Sequence, residues 1–182
     1  IGGGITEIVV ISLSGVVSFQ SEKTAGDSFD EDIQDYMRKN YNLSIGIKTA
    51  EQVKIRIGAV TIVDTDQEVF MEVKGKDMIT GIPVTKKVSS NEIATVLDKS
   101  FTRIEQCILN TLETCPPELA GDIFQSGIYV TGGNALLKGV KERLERIINL
   151  PVKIDPNPLL SVTRGISKVL AEKKAFGHLL IN

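Results

Sequence analysis

The sequence predicts an α/β fold with a small α+β subdomain inserted into it. Strands alternate with helices in the first and last thirds of the chain, the pattern of a layered mixed sheet. The middle is helical and then strand-rich, as an insertion between Gly26 and about Ser90 would be. Glycine-bearing turns mark both ends, at Gly2-Gly3-Gly4 and at Gly132-Gly133.

Each element has its own signal. Glu7 to Leu13 is short and β-branched, a buried strand, and Ser14-Gly15 turns it into Val16 to Phe19 as a hairpin. Ser28 with Glu31 reads as a capping box opening a helix whose face carries Ile33, Tyr36 and Met37. Thr49 with Gln52 repeats that signature before a short helix, Ala50 to Ile57, which Gly58 stops. Strands are expected at Val60–Val63, Glu68–Val73 and Val84–Val88. Ser89 with Glu92 caps the strongest amphipathic helix, in which Ile93, Leu97, Phe101, Ile104, Ile108 and Leu112 recur at helical spacing. Pro116-Pro117 ends it. A strand at Gly127–Thr131 follows, then a helix from Leu136 to Ile148 and a strand at Pro151–Ile154. Pro158, capped by Asn157, should begin the last helix.

Composition removes several function classes. The 182 residues are 42% hydrophobic and 24% charged, with a formal net charge of −2, which argues against a general nucleic-acid or polybasic membrane surface. Cys107 and Cys115 are too few for a disulfide scaffold or a zinc site, and His178 is the single histidine. Ile1 followed by a glycine triplet predicts a fragment cut from a longer protein inside a strand-turn-strand unit, because such a turn needs an element on each side.

Three constellations point to chemistry. Backbone N–H groups in Gly2-Gly3-Gly4-Ile5-Thr6 can converge on a phosphate, since no Cβ blocks the approach; a plain hairpin turn is the alternative. Thr131-Gly132-Gly133-Asn134 lies between a strand and a helix, where a nucleotide can rest near the helix N-terminus; a tight βα turn is the alternative. Glu51 and Lys54 share a helical face, able to meet ribose hydroxyls and flank a base; a solvated ion pair is the alternative.

Together these residues resemble the MreB family of bacterial actin-like proteins, within the actin/Hsp70/sugar-kinase superfamily. The family's D-I-G-G-G-T-T-E-I is matched by Ile1-Gly2-Gly3-Gly4-Ile5-Thr6-Glu7-Ile8, and its G-G-D-x-x-D-E-A-I by Ala25 to Ile33. T-A-E-R-I-K corresponds to Thr49-Ala50-Glu51-Gln52-Val53-Lys54. R-x-N-Y, S-N-E-I and T-P-P-E-L are similar to Arg38–Tyr41, Ser90–Ile93 and Cys115–Leu119. L-T-G-G-G-A-L-L-R-G is similar to Val130 to Gly139. The similarity is collinear over nearly the whole chain and fades after about Glu172.

The resemblance implies an actin-like ATPase (ribonuclease H-like) domain. Residues 1–24 and 91–182 would form subdomain IIA and residues 25–90 the inserted IIB. It implies ATP with Mg2+ in a cleft completed by the N-terminal half of the same protein. Gly2, Gly3, Gly4, Ile5 and Thr6 would cradle phosphates. Glu51, Gln52, Val53 and Lys54 would meet ribose and base. Gly132, Gly133, Asn134 and Ala135 would line the adenosine pocket. It further implies self-assembly into filaments that organise cell-wall synthesis, a RodZ-like membrane adaptor, a cytoplasmic position at the inner face of the cell membrane, and no nucleic-acid partner. No catalytic residue or metal ligand is assigned.

Two departures stand out. Ile5 replaces a threonine whose hydroxyl is expected to help place the attacking water, so hydrolysis by the intact protein should be slow; the isolated fragment should be inactive because the other wall of the cleft is absent. Asn134 replaces a glycine and adds a side chain near the nucleotide. The alternatives are an Hsp70- or sugar-kinase-like ATPase module and an FtsA-like adaptor. No substrate-binding domain is expected within residues 1–182, and an insertion between Asp27 and Ser90 fits the actin placement rather than the FtsA one.

Overall fold

The structure, a computed structural model, describes residues 1–13, 15–172 and 176. Ser14 of the expected turn and His178 lie outside the described residues.

The opening hairpin forms, but its first strand is not buried as expected: Val9, Ile11 and Leu13 are exposed, because only one face of the two-stranded hairpin packs on the core. β1 (Thr6–Ser12) pairs antiparallel with β2 (Gly15–Glu22), from Thr6 opposite Glu22 to Ser12 opposite Gly15, with a register shift between Val10 and Ile11. α1 (Gly26–Tyr41) starts two residues before the expected capping box, and no side chain caps it. The glycine loop caps it instead: Gly26 N donates to Gly2 O at 3.1 Å and Asp27 N to Gly3 O at 2.8 Å. Orphan donors of the first turn thus find backbone partners far away in sequence. Asn42, in the left-handed conformation at φ 48°, ends the helix.

β3 (Leu43–Ser44) is too short to read from sequence; it joins β4 (Phe70–Asp77) and β5 (Pro83–Ser89) in an antiparallel sheet of order β3-β4-β5. α2 (Ile47–Ile57) likewise begins early, behind Gly46, so the Thr49/Gln52 box does not form. The strand expected at Val60–Val63 is absent, because other partners take its backbone groups. Val60 N donates to Lys138 O, Val60 O accepts from Arg143, and the Asn91 amide pairs with both N and O of Val63.

α3 (Ser90–Glu113) carries the expected capping box in full, with Glu92 N donating to Ser89 Oγ and Ser89 N to the Glu92 carboxylate. Its apolar stripe is the spine of the core: Ile93, Leu97, Phe101 and Ile104 are fully buried, joined by Phe29, Ile33 and Met37 of α1 and Val53 of α2. A short α4 (Ala120–Ser126), unanticipated, precedes β6 (Ile128–Val130). The helix expected from Leu136 is a 3-10 turn at Gly133–Leu136, and α5 (Val140–Ile148) starts only after Gly139, at φ 85°. β7 (Val152–Ile154) pairs parallel with β6. α6 (Ser161–Ala171) starts three residues past Pro158, and Asn157 does not cap it. Among the described residues no helix is long and apolar enough to cross a membrane.

Candidate functional site

Three distant segments converge on one cavity of about 430 Å3. Its wall includes Gly2 and Gly3 from the opening loop, Glu51 and Lys54 from α2, and Gly133 and Asn134 from the turn after β6, with Gly26, Asp27 and Asp30 of α1 between them. This is the size and make-up of a small-molecule site, with apolar walls (Ile55, Leu136, Leu137 and Leu159) and a few converging polar groups.

The opening loop is folded on itself, Gly2 N donating to Ile5 O at 3.0 Å. It is joined to the second loop by Ile1 N to Thr131 O at 2.6 Å and by Asn134 Nδ2 to Gly2 O at 2.6 Å. Asp27 is the acidic group beside this loop: a Cβ placed on Gly3 or Gly4 would stand 3.7 or 3.6 Å from its carboxylate oxygens.

Lys54 is not paired with Glu51. Its ammonium is buried and donates to Asp30 Oδ2 and to Gly26 O, each at 2.9 Å. The solvated Glu51–Lys54 pair is therefore excluded, and Glu51 is left exposed at the cavity wall. Burial pushes the Asp30 carboxyl above its ordinary range, against the pull of Lys54. Its Oδ1 is buried with no hydrogen-bond partner among the described residues. Asp30 is the polar residue that the sequence reading missed; its position three residues after Asp27, on the first turns of α1, was the available signal.

The other expected site residues lie near the cavity without lining it. Gly4 and Ile5 are exposed at the loop, Ile5 to 45%. Thr6 is buried, and its hydroxyl donates to Thr24 O at 2.8 Å rather than facing the cavity. Gln52 is exposed on α2, while Val53 is fully buried in the core, so its side chain cannot meet a base. Gly132, at φ 91°, packs against the Ile1 backbone where a side chain has no room. Ala135 faces the core.

A cavity bordered by two glycine turns and two exposed carboxylates, Asp27 and Glu51, with a lysine held inside, can admit an anionic group at the turns and hydroxyls at a carboxylate. The sequence profile of the MreB/Mbl protein family matches residues 1–178. The cell shape-determining protein MreB of Escherichia coli is 43% identical over 170 residues, 93% of this chain and 48% of that protein. The crystal structure of MreB5 of Spiroplasma citri bound to ADP superposes with a TM-score of 0.90 at 41% identity, covering 96% of this chain and 53% of that one. The MamK double helical filament shares the fold, with a TM-score of 0.77 at 20% identity over 94% of this chain and 52% of that one. The chain spans about half the length of the relatives it matches.

Proposed function

The chain belongs to the MreB/Mbl family and has its actin-like fold, and from that premise we propose that it supplies one wall of an adenine-nucleotide cleft in a filament-forming, cell shape-determining protein. The observation that carries the reading is the meeting of Gly3, Glu51 and Gly133, far apart in the chain, around one cavity. The solved relative of Spiroplasma citri holds ADP, and this chain is 41% identical to it over 96% of its own length.

In this reading the opening loop offers backbone N–H groups to the phosphates. Glu51 accepts from ribose hydroxyls. Lys54 shapes the floor while its charge remains committed to Asp30. A Mg2+ ion arriving with the phosphates needs only one or two protein carboxylates, since it keeps most of its waters. Asp27, beside Gly3 and Gly4, fits that need; its supply would be charge neutralisation at the phosphates. Ile5 brings no hydroxyl to the loop, so water placement rests on other groups and turnover is slow.

Self-assembly into filaments is part of the proposal, as are cell-wall organisation, a RodZ-like membrane adaptor and a position at the inner face of the cell membrane; family membership supports them. The test is calorimetry of the intact protein with ADP, followed by electron microscopy with and without nucleotide. Saturable binding and nucleotide-dependent polymers are expected. Absence of both would defeat the reading.

A further inference from the structure

The side chain of Asn134 does what no glycine at that position could. Its amide nitrogen donates to Gly2 O at 2.6 Å, joining residues 132 positions apart. Gly2 O also accepts from Gly26 N at 3.1 Å; a carbonyl has two lone pairs and can take both. Gly26 O in turn accepts from Lys54 Nζ, which holds Asp30. One continuous path of hydrogen bonds therefore crosses the second loop, the opening loop, the start of α1 and α2. Asn134 is 6% exposed, so its amide left unpaired would be costly.

We propose that Asn134 is a positioning residue: its side-chain amide straps the 132–135 turn to the opening glycine loop and fixes the two loops relative to each other, raising affinity for a nucleoside phosphate by pre-organisation. This deepens the nucleotide reading and rests on it. Groups already held in place lose less freedom when a ligand binds. The strap is not the sole joint, because Ile1 N to Thr131 O and Asn134 N to Ile1 O remain without it. The effect is correspondingly modest. Losing one net hydrogen bond should weaken ADP binding about threefold to tenfold.

The test compares Asn134→Ala and Asn134→Asp with the unmodified intact protein, by calorimetry with ADP at about pH 8, where an aspartate is ionised. Both variants should bind more weakly. Asn134→Asp should be the weaker, because a carboxylate would face the Gly2 carbonyl oxygen and add its charge to those of Asp27, Asp30 and Glu51 at the cavity. Unchanged affinity in Asn134→Ala would overturn the strap. A second measurement needs no ligand: amide hydrogen exchange at residues 2–4 should be faster in Asn134→Ala while α3 is unaffected. Unaltered exchange there would also overturn it. Should the unmodified protein bind no ADP, the nucleotide reading falls and the exchange result alone decides the strap.

Discussion

Gly26 stands where the cavity's segments meet, and the space at its Cα is already taken. A Cβ there would lie 2.7 Å from Asn134 Nδ2, 3.2 Å from Lys54 Nζ and 3.3 Å from Gly2 O. Gly26→Ala should therefore push the strap and the lysine aside, destabilising the protein by about 1–3 kcal/mol. Chemical denaturation measures this, and a change below about 0.5 kcal/mol would mean that the neighbours yield freely. Lys54→Met should cost more, about 3–5 kcal/mol, because it strands the Asp30 carboxylate without its partner in a buried place. Ile5 makes the opposite kind of prediction. It is exposed at the loop, so Ile5→Thr should be tolerated structurally and should raise phosphate release by the intact protein. Unchanged turnover in a steady-state assay would show that residue 5 is not limiting. Gly3, Glu51 and Gly133 stand out singly by residue type, but it is the collinear family resemblance that groups them. The Lys54–Asp30 pair was not legible, because the choice between Glu51 and Asp30 depends on how α1 packs against α2, which spacing within α2 does not encode.

Among the elements, α3 was the most legible and the rest follow from how their ends are satisfied. Its stripe and its capping box are local, and both form. Leu97→Ala or Ile104→Ala should cost about 2–5 kcal/mol, since both side chains are fully buried; a urea series checks it, and a loss under about 0.5 kcal/mol would mean different packing. The same helix start carries a pH signature. Burial works against the charged form of Glu92, but Tyr41 and Tyr36 donate to it at 2.5 and 2.7 Å, and Ser89 adds its own bonds. The carboxyl is held below its ordinary value of 4.5. Its contribution is thus present above that value and is lost as pH falls through the folded-state value. Tyr41, half-buried beside Glu92, is pushed up to about 12 and stays neutral across the acid range. Glu92→Gln should flatten the stability profile in the acid range, and an unaltered profile by denaturation at stepped pH would contradict the assignment. Where element starts were misread, at α1, α2 and α6, local capping signatures lost to other arrangements. α1 shows the reason most clearly, because the opening loop supplies its first acceptors from more than twenty residues upstream.

Across the whole molecule, two glycine loops and a short helix are brought to one place by the core that α3 organises. The strand expected at Val60–Val63 was lost because Lys138, Arg143 and Asn91 claim its backbone, contacts spanning 28 to 83 residues for the two side chains. Those same contacts tie the segment after α2 to the turn before α5, to α5 itself and to the start of α3, so they help to hold Glu51 and Gly133 at one cavity. Collinear motifs thus revealed the family and the cavity's ingredients, while long-range hydrogen bonds decided how they are joined. Hydrogen exchange of the intact protein, read segment by segment with and without ADP, tests this convergence most directly. Residues 2–6, 51–54 and 132–135 should gain protection together. Protection confined to one segment, or to none, would contradict it.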